Sequence, residues 1–91
     1  MIKLITTKRY DKSLAKFKKK HPQLRDKYKK TITLLVKYPH HPSLRLHKLK
    51  GTYSEYYSIS LNMKYRIMLD FIIENDKIIL IDIGGHELYE F

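Results

Sequence analysis

Cysteine is absent from these 91 residues, which excludes disulfides and thiolate metal sites and fits a reducing compartment. Also missing is any apolar run approaching the ~20 residues that span a bilayer. The opening MIKLITTKRYDK has no apolar signal core, so the expectation is a soluble, cytoplasmic protein with no membrane partner. Glycine-rich phosphate loops, a nucleophile elbow and zinc-ligand spacing are missing too. Acidic residues are few and scattered, and no two of them suggest a two-metal nuclease. A nuclease built from this chain is therefore expected to work without metal or other cofactor. That points to RNA, where the 2′-hydroxyl supplies the nucleophile.

What is present in excess is positive charge. Nineteen Lys and Arg against nine Asp and Glu give a formal charge of +10. On one small domain this creates a field that attracts polyanions. Nucleic acid is the first candidate partner, an acidic protein the second and an anionic membrane surface the third. A hydrophobic fraction of 43%, with eight Tyr and three Phe, supports a single folded domain over residues 1–91.

The periodicity divides the chain into a helical half and a strand half. IKLIT is a short apolar stretch, and Thr7 is placed to cap a helix in which Tyr10, Leu14 and Phe17 recur on one face, with Ala15 beside them. KKKHP closes that helix, and Pro22 suits the first turn of the next. Leu24, Tyr28, Ile32, Leu35 and Val36 draw a second stripe that ends before Pro39. YPHHPSL is a loop. Beyond it the period becomes two: LRLHKLKG, YSISL and YRIMLDFII alternate, ENDK turns, and IILIDI is apolar on both faces like a central strand. The expected class is α+β: two N-terminal antiparallel helices packed on one face of a mostly antiparallel sheet of four to five strands, the N-terminal strand among them.

Strand parity then predicts what shares the other face. With Tyr57, Ile59, Leu61, Tyr65, Ile67, Leu69 and Phe71 turned towards the helices, Arg45, His47, Ser58, Ser60, Arg66, Met68 and Asp70 turn away. Lys48 is expected on the same polar face as Arg45 and His47. On the last strand Ile79, Ile81 and Ile83 are taken as inward, and the same parity brings His86 to the open face. Two histidines, an arginine and flanking lysines on one surface suit phosphate chemistry. A guanidinium can fork onto a phosphate, and imidazoles accept and return protons.

Each residue also has a plainer reading. The helix lysines, Lys16, Lys18, Lys19, Lys20, Lys27, Lys29 and Lys30, form a solvated face. His40 and His41 are loop residues, and adjacent histidines are poor metal spacing. His21 serves helix entry. Arg66 pairs with Asp70 along its own strand, and Tyr89 and Phe91 anchor the C-terminus as readily as they stack on bases.

The order of pieces, LHKLKG, YSISL, YRIML and LIDIGGH after two basic helices, resembles the RelE/ParE toxin superfamily of bacterial toxin–antitoxin systems over nearly the whole chain. It is closest to the RelE- and YafQ-type toxins that cut messenger RNA at the ribosome. The resemblance implies an endoribonuclease that drives the 2′-hydroxyl onto the adjacent phosphodiester and causes growth arrest, with a cognate antitoxin, mRNA and the ribosome as partners. By position, His47 matches a histidine of the YafQ-like branch, and Arg66 resembles the arginine that stabilises the transferring phosphate. His86 falls where that branch keeps a histidine, and Tyr89 or Phe91 where it keeps a terminal aromatic. Arg45, Lys48, Lys50, Ser58, Ser60, Lys64 and Phe91 are the expected RNA contacts. Ser58 and Ser60 depart from the lysines of the RelE branch, and Ser60 stands where YafQ-like proteins carry another histidine. Lys64 replaces an aspartate, and Tyr89 follows His86 by three residues instead of four. The order of acid and base between His47 and His86 stays open. Two other classes stay open with it: a ParE-like inhibitor of DNA gyrase without ribonuclease activity, and a basic RNA-binding module with a degenerate site.

Overall fold

In the computed structural model the described residues are 2–72, 76–85 and 88. A short strand β1 (Lys3–Thr6) leads into helix α1 (Lys8–Lys20), and a 3₁₀ turn at Pro22–Leu24 leads into α2 (Arg25–Lys37). A second 3₁₀ turn, Pro42–Leu44, precedes β2 (His47–Lys48). A third, Gly51–Tyr53, separates β2 from β3 (Tyr57–Ser60), and β4 (Arg66–Ile72) and β5 (Lys77–Gly84) follow. The sheet order is β1-β5-β4-β3-β2; β1 runs parallel to β5, and the other neighbours are antiparallel. The expected α+β architecture is present, with the N-terminal strand as the fifth member at the edge beside β5.

Thr7 caps α1 as its position predicts: its Oγ1 accepts the Tyr10 N–H at 3.1 Å, satisfying one of the orphan donors of the first turn. The same hydroxyl donates to the Leu80 carbonyl at 3.1 Å, which fastens the start of α1 to β5. Tyr10 and Phe17 bury the helix face against the sheet, while Ala15 is exposed. From α2, Leu35 enters the same core, which continues through Leu44, Ile59, Leu61, Ile67, Leu69, Ile78, Leu80 and Ile83. Inside it the Tyr10 and Tyr28 hydroxyls lie 2.7 Å apart, so each buried phenol has a partner.

The inward series on β5 is corrected by a bulge. Ile67 pairs with Ile83 and Met68 with Asp82, but Leu69 pairs with Leu80, which leaves Ile81 as the extra residue. Parity therefore changes within the strand: Ile78, Leu80 and Ile83 join the core, whereas Ile79 and Ile81 are only partly buried. The strand expected over LRLHKLKG is also shorter, because Arg45 takes a left-handed conformation (φ 50°, ψ 44°) that no strand contains and that costs a non-glycine residue strain. Gly51 (φ 67°) then turns the chain out of β2, a conformation that favours a residue without Cβ.

Candidate active site

His47 is exposed on the edge strand and pairs with Ser58, Ser58 pairs with Met68, and Met68 pairs with Asp82. Two residue pairs further along, Ser60 pairs with Arg66 and Arg66 with Gly84. Directly opposed residues share a face, and so do residues two apart. His47, Ser58, Ser60, Arg66, Met68 and Asp82 thus line the side of the sheet away from the main core. Arg66 lies two strands over and two residues along from His47, roughly 12 Å between Cα atoms from ordinary strand spacings. Its side chain narrows that gap, with Nη1 at 3.5 Å from the Ser60 Oγ on the intervening strand. Asp70 accepts the N–H of Phe71 at 2.9 Å, and no ion pair joins it to Arg66 among the described residues.

The histidine is oriented by its own backbone. His47 Nδ1 lies 2.9 Å from the Arg45 carbonyl oxygen. A carbonyl only accepts, so Nδ1 carries a proton, which leaves Nε2 as the ring position that can accept one. The carbonyl at the ring edge belongs to Arg45, the residue in the left-handed conformation. This tautomer suits a general base that works through Nε2.

Two expectations about the face are corrected. Lys48 pairs with Tyr57, a residue packed against the helix-side core, so parity puts Lys48 on the opposite face from His47. Ser58 and Met68 are both 0% exposed, so the middle of this face is covered and Ser58 is withdrawn from contact with a large ligand. The chain between β2 and β3 approaches this face near Asp82, through Tyr53. Arg9, reaching round the β1 edge, holds Asp82 with Nε at 2.9 Å and Nη2 at 2.7 Å. The hydrogen bond to Asp82 first, and a smaller one to the Tyr53 phenol, raise the Arg9 guanidinium above its ordinary value. The Gly51–Tyr53 turn therefore folds back across the sheet. Leu88, also buried, donates its N–H to the Gly85 carbonyl at 3.1 Å.

The remaining expected contacts sit at the margins. Arg45 and Lys50 are exposed on either side of β2. Lys64 is exposed in the β3–β4 turn, where Asn62 Oδ1 accepts the N–H groups of Lys64 (2.9 Å) and Tyr65 (2.8 Å). His86, Tyr89 and Phe91 lie outside the described residues. His41 is occupied locally, with Nδ1 accepting the Ser43 N–H at 3.1 Å. Among the described residues no cluster of three His, Asp or Glu side chains has metal-site geometry. Arg9, Asp82 and Tyr53 were not singled out by sequence reading. Their signal is tertiary, since 73 positions separate Arg9 from Asp82.

No family model and no curated relative matches the chain. Solved structures do. YafQ from E. coli superposes with a TM-score of 0.81 at 14% identity, and both chains are covered completely. The chain has the fold of the YafQ toxins. A YoeB/ParE toxin from Agrobacterium tumefaciens is similar at a TM-score of 0.77 and 16% identity, over 93% of this chain and 99% of that one. YafQ in the E. coli DinJ–YafQ toxin–antitoxin complex matches at 0.79 and 17%, over 99% of this chain and 98% of that one. The two-helix, five-stranded frame is thus shared with these structures.

Proposed function

We propose that this chain is a RelE/YafQ-type toxin of a toxin–antitoxin system, acting as a metal-independent endoribonuclease on mRNA. The observation that carries the reading is that His47, its Nδ1 held on the Arg45 carbonyl, and the Arg66 guanidinium share one face of a +10 domain. In the proposed reaction His47 Nε2 removes the proton of a ribose 2′-hydroxyl, and the 2′-oxygen attacks the adjacent phosphorus. The bond from phosphorus to the 5′-oxygen breaks, and a second acid protonates the leaving oxygen. The products are a 2′,3′-cyclic phosphate and a 5′-hydroxyl. His86 is the proposed second acid. Arg66 stabilises the charge on the phosphorane oxygens, where a positioned guanidinium acts more strongly than on the ground state. The ribosome as the place of cutting and a cognate antitoxin as the inhibitor complete the proposal. An acidic antitoxin segment competes for the cationic face that RNA needs.

The test is induced expression of wild type, His47→Ala, Arg66→Ala and His86→Ala, with mRNA 5′ ends mapped by primer extension. Growth arrest with new 5′-hydroxyl ends, lost in variants that remain folded, is the expected result. Arrest with intact mRNA would overturn the ribonuclease and direct attention to gyrase, while folded wild type without arrest would leave only a binding module.

A further inference from the structure

A cleft of about 300 Å³ runs along the flank of α1; Asp82 lines it, but His47, Ser60 and Arg66 do not. On the helix side it is lined by Arg9, Ser13, Lys16 and Lys20, which at 3.6 residues per turn fall within about 60° of one another. Opposite them stand Tyr53 and Tyr65. His21, the residue that ends α1, closes one end as part of an aromatic group: its ring centroid is 4.8 Å from that of Phe17 and 4.5 Å from that of Tyr65. Arg9 is occupied by Asp82, so that pair forms a nearly neutral floor. Lys16 and Lys20 are exposed and have no acidic partner among the described residues. The cleft thus combines two exposed lysines, a serine hydroxyl and tyrosine rings.

That combination is the chemistry of single-stranded nucleic acid, in which cations follow the backbone and bases stack on rings. An acidic peptide would use the cations but has no need of the aromatic wall. The position supports the same choice. Tyr65 and Gly84 both line the cleft; Tyr65 precedes Arg66 in the chain, and Gly84 is its partner across the sheet. The cleft therefore borders the strand pair that carries Arg66, and a strand held at Arg66 would meet it at Gly84. From Arg9 to Lys20 the helix offers about 16 Å, room for more than one nucleotide.

We infer that the α1 flank, through Lys16, Lys20 and the Tyr53–Tyr65 wall, is a binding site for single-stranded RNA continuing beyond the scissile phosphate. The inference rests on the proposed ribonuclease reading for its direction, but its binding test does not require cleavage. The probe is a fluorescent 2′-O-methyl oligoribonucleotide, which lacks the attacking hydroxyl, titrated by anisotropy over a range of salt. Lys16→Ala/Lys20→Ala is compared with Lys12→Ala/Lys19→Ala, which removes the same charge from the same helix at positions that do not line the cleft. The expected result is weaker binding and a log–log salt slope smaller by about 1.4 for the cleft pair, from roughly 0.7 per single-strand phosphate contact. The Lys12/Lys19 control should keep most of the slope. Equal losses in both pairs would reduce the site to diffuse attraction and overturn the proposal. An unchanged RNA slope with lost binding of an oligoglutamate peptide would assign the cleft to a protein partner instead, and also overturn it. If mRNA stays intact in cells while the cleft pair still weakens the oligonucleotide, the ribonuclease reading fails and this one stands.

Discussion

His47 Nδ1 sits 2.9 Å from the carbonyl oxygen of Arg45, a residue only two positions earlier and in a left-handed conformation. The strained turn and the oriented imidazole are one device. His47→Ala is expected to reduce RNA cleavage by ~10²–10⁴-fold, the usual effect of losing one proton-transfer group. Because the ring is exposed, its removal should change unfolding free energy by less than about 0.5 kcal/mol. Arg45→Ile places a β-branched residue at φ 50° and should destabilise by about 1–3 kcal/mol, whereas Arg45→Gly should not. Urea unfolding of the three variants beside a single-turnover cleavage assay separates orientation from stability. A His47→Ala protein that cuts at the wild-type rate would remove this residue from the mechanism.

Met68 tests whether the face behind the main core is covered. Strand parity alone turns it to solvent, where Met68→Ala would cost almost nothing. Its exposure is instead 0%, next to a fully buried Ser58. Met68→Ala is expected to cost about 2–5 kcal/mol in chemical denaturation, as for other buried methionine truncations. Met63→Ala, at a site 86% exposed, should stay within about 0.5 kcal/mol.

These residues mark how far the sequence could be read. The cap at Thr7, the Tyr10–Phe17 stripe and the stop at His21–Pro22 are local, because a helix satisfies its own backbone and its period needs only neighbouring residues. The two-residue period of β3 and β4 was legible for the same reason. It failed on β5, where Ile81 is an extra residue opposite β4: IILIDI is apolar at almost every position, so nothing in it marks where the register slips. Of the candidate site, His47, Ser60 and Arg66 were correctly placed on one face. Ser58 was placed there too but is buried, and Lys48 was put on the wrong face. Ser58 is fully buried, and the link from Tyr53 to Arg9 depends on the turn between β2 and β3 reaching β5. Such contacts have no local signature.

The Arg9–Asp82 pair should show the asymmetry of a partly buried ion pair. The Asp82 carboxylate is well enclosed, with Oδ1 accepting the Ile83 N–H at 2.9 Å and Oδ2 held by Arg9. Removing the guanidinium leaves an enclosed charge with one partner fewer, whereas Asp82→Asn removes the charge and keeps an acceptor for Ile83. Arg9→Ala is therefore expected to cost more than Asp82→Asn. The difference should be about 1 kcal/mol, a low figure because the Arg9 side chain is 51% exposed and screened by water. A double-mutant cycle in urea measures the coupling; a value near zero would mean that the pair holds neither the β1 edge nor the Tyr53 turn in place.

Alkali should unfold this protein through its core. Burial first, then the hydrogen bond with Tyr28, pushes the Tyr10 phenol far above its ordinary value. Burial also raises Tyr28, against the opposing effect of its bond with Tyr10. In the unfolded chain both ionise near pH ~10. Below that pH both states keep their protons and the core is at full stability. Above it the unfolded state loses protons that the folded state retains, so stability falls as pH rises. Thermal unfolding between pH 8 and 11.5 should thus show Tm dropping from about pH 10 upward. Tyr10→Phe, which removes the more strongly shifted phenol and one side of the 2.7 Å hydroxyl contact, should lower Tm at pH 8 and flatten the fall above pH 10. An unchanged alkaline slope in Tyr10→Phe would place the pH sensitivity outside this phenol pair.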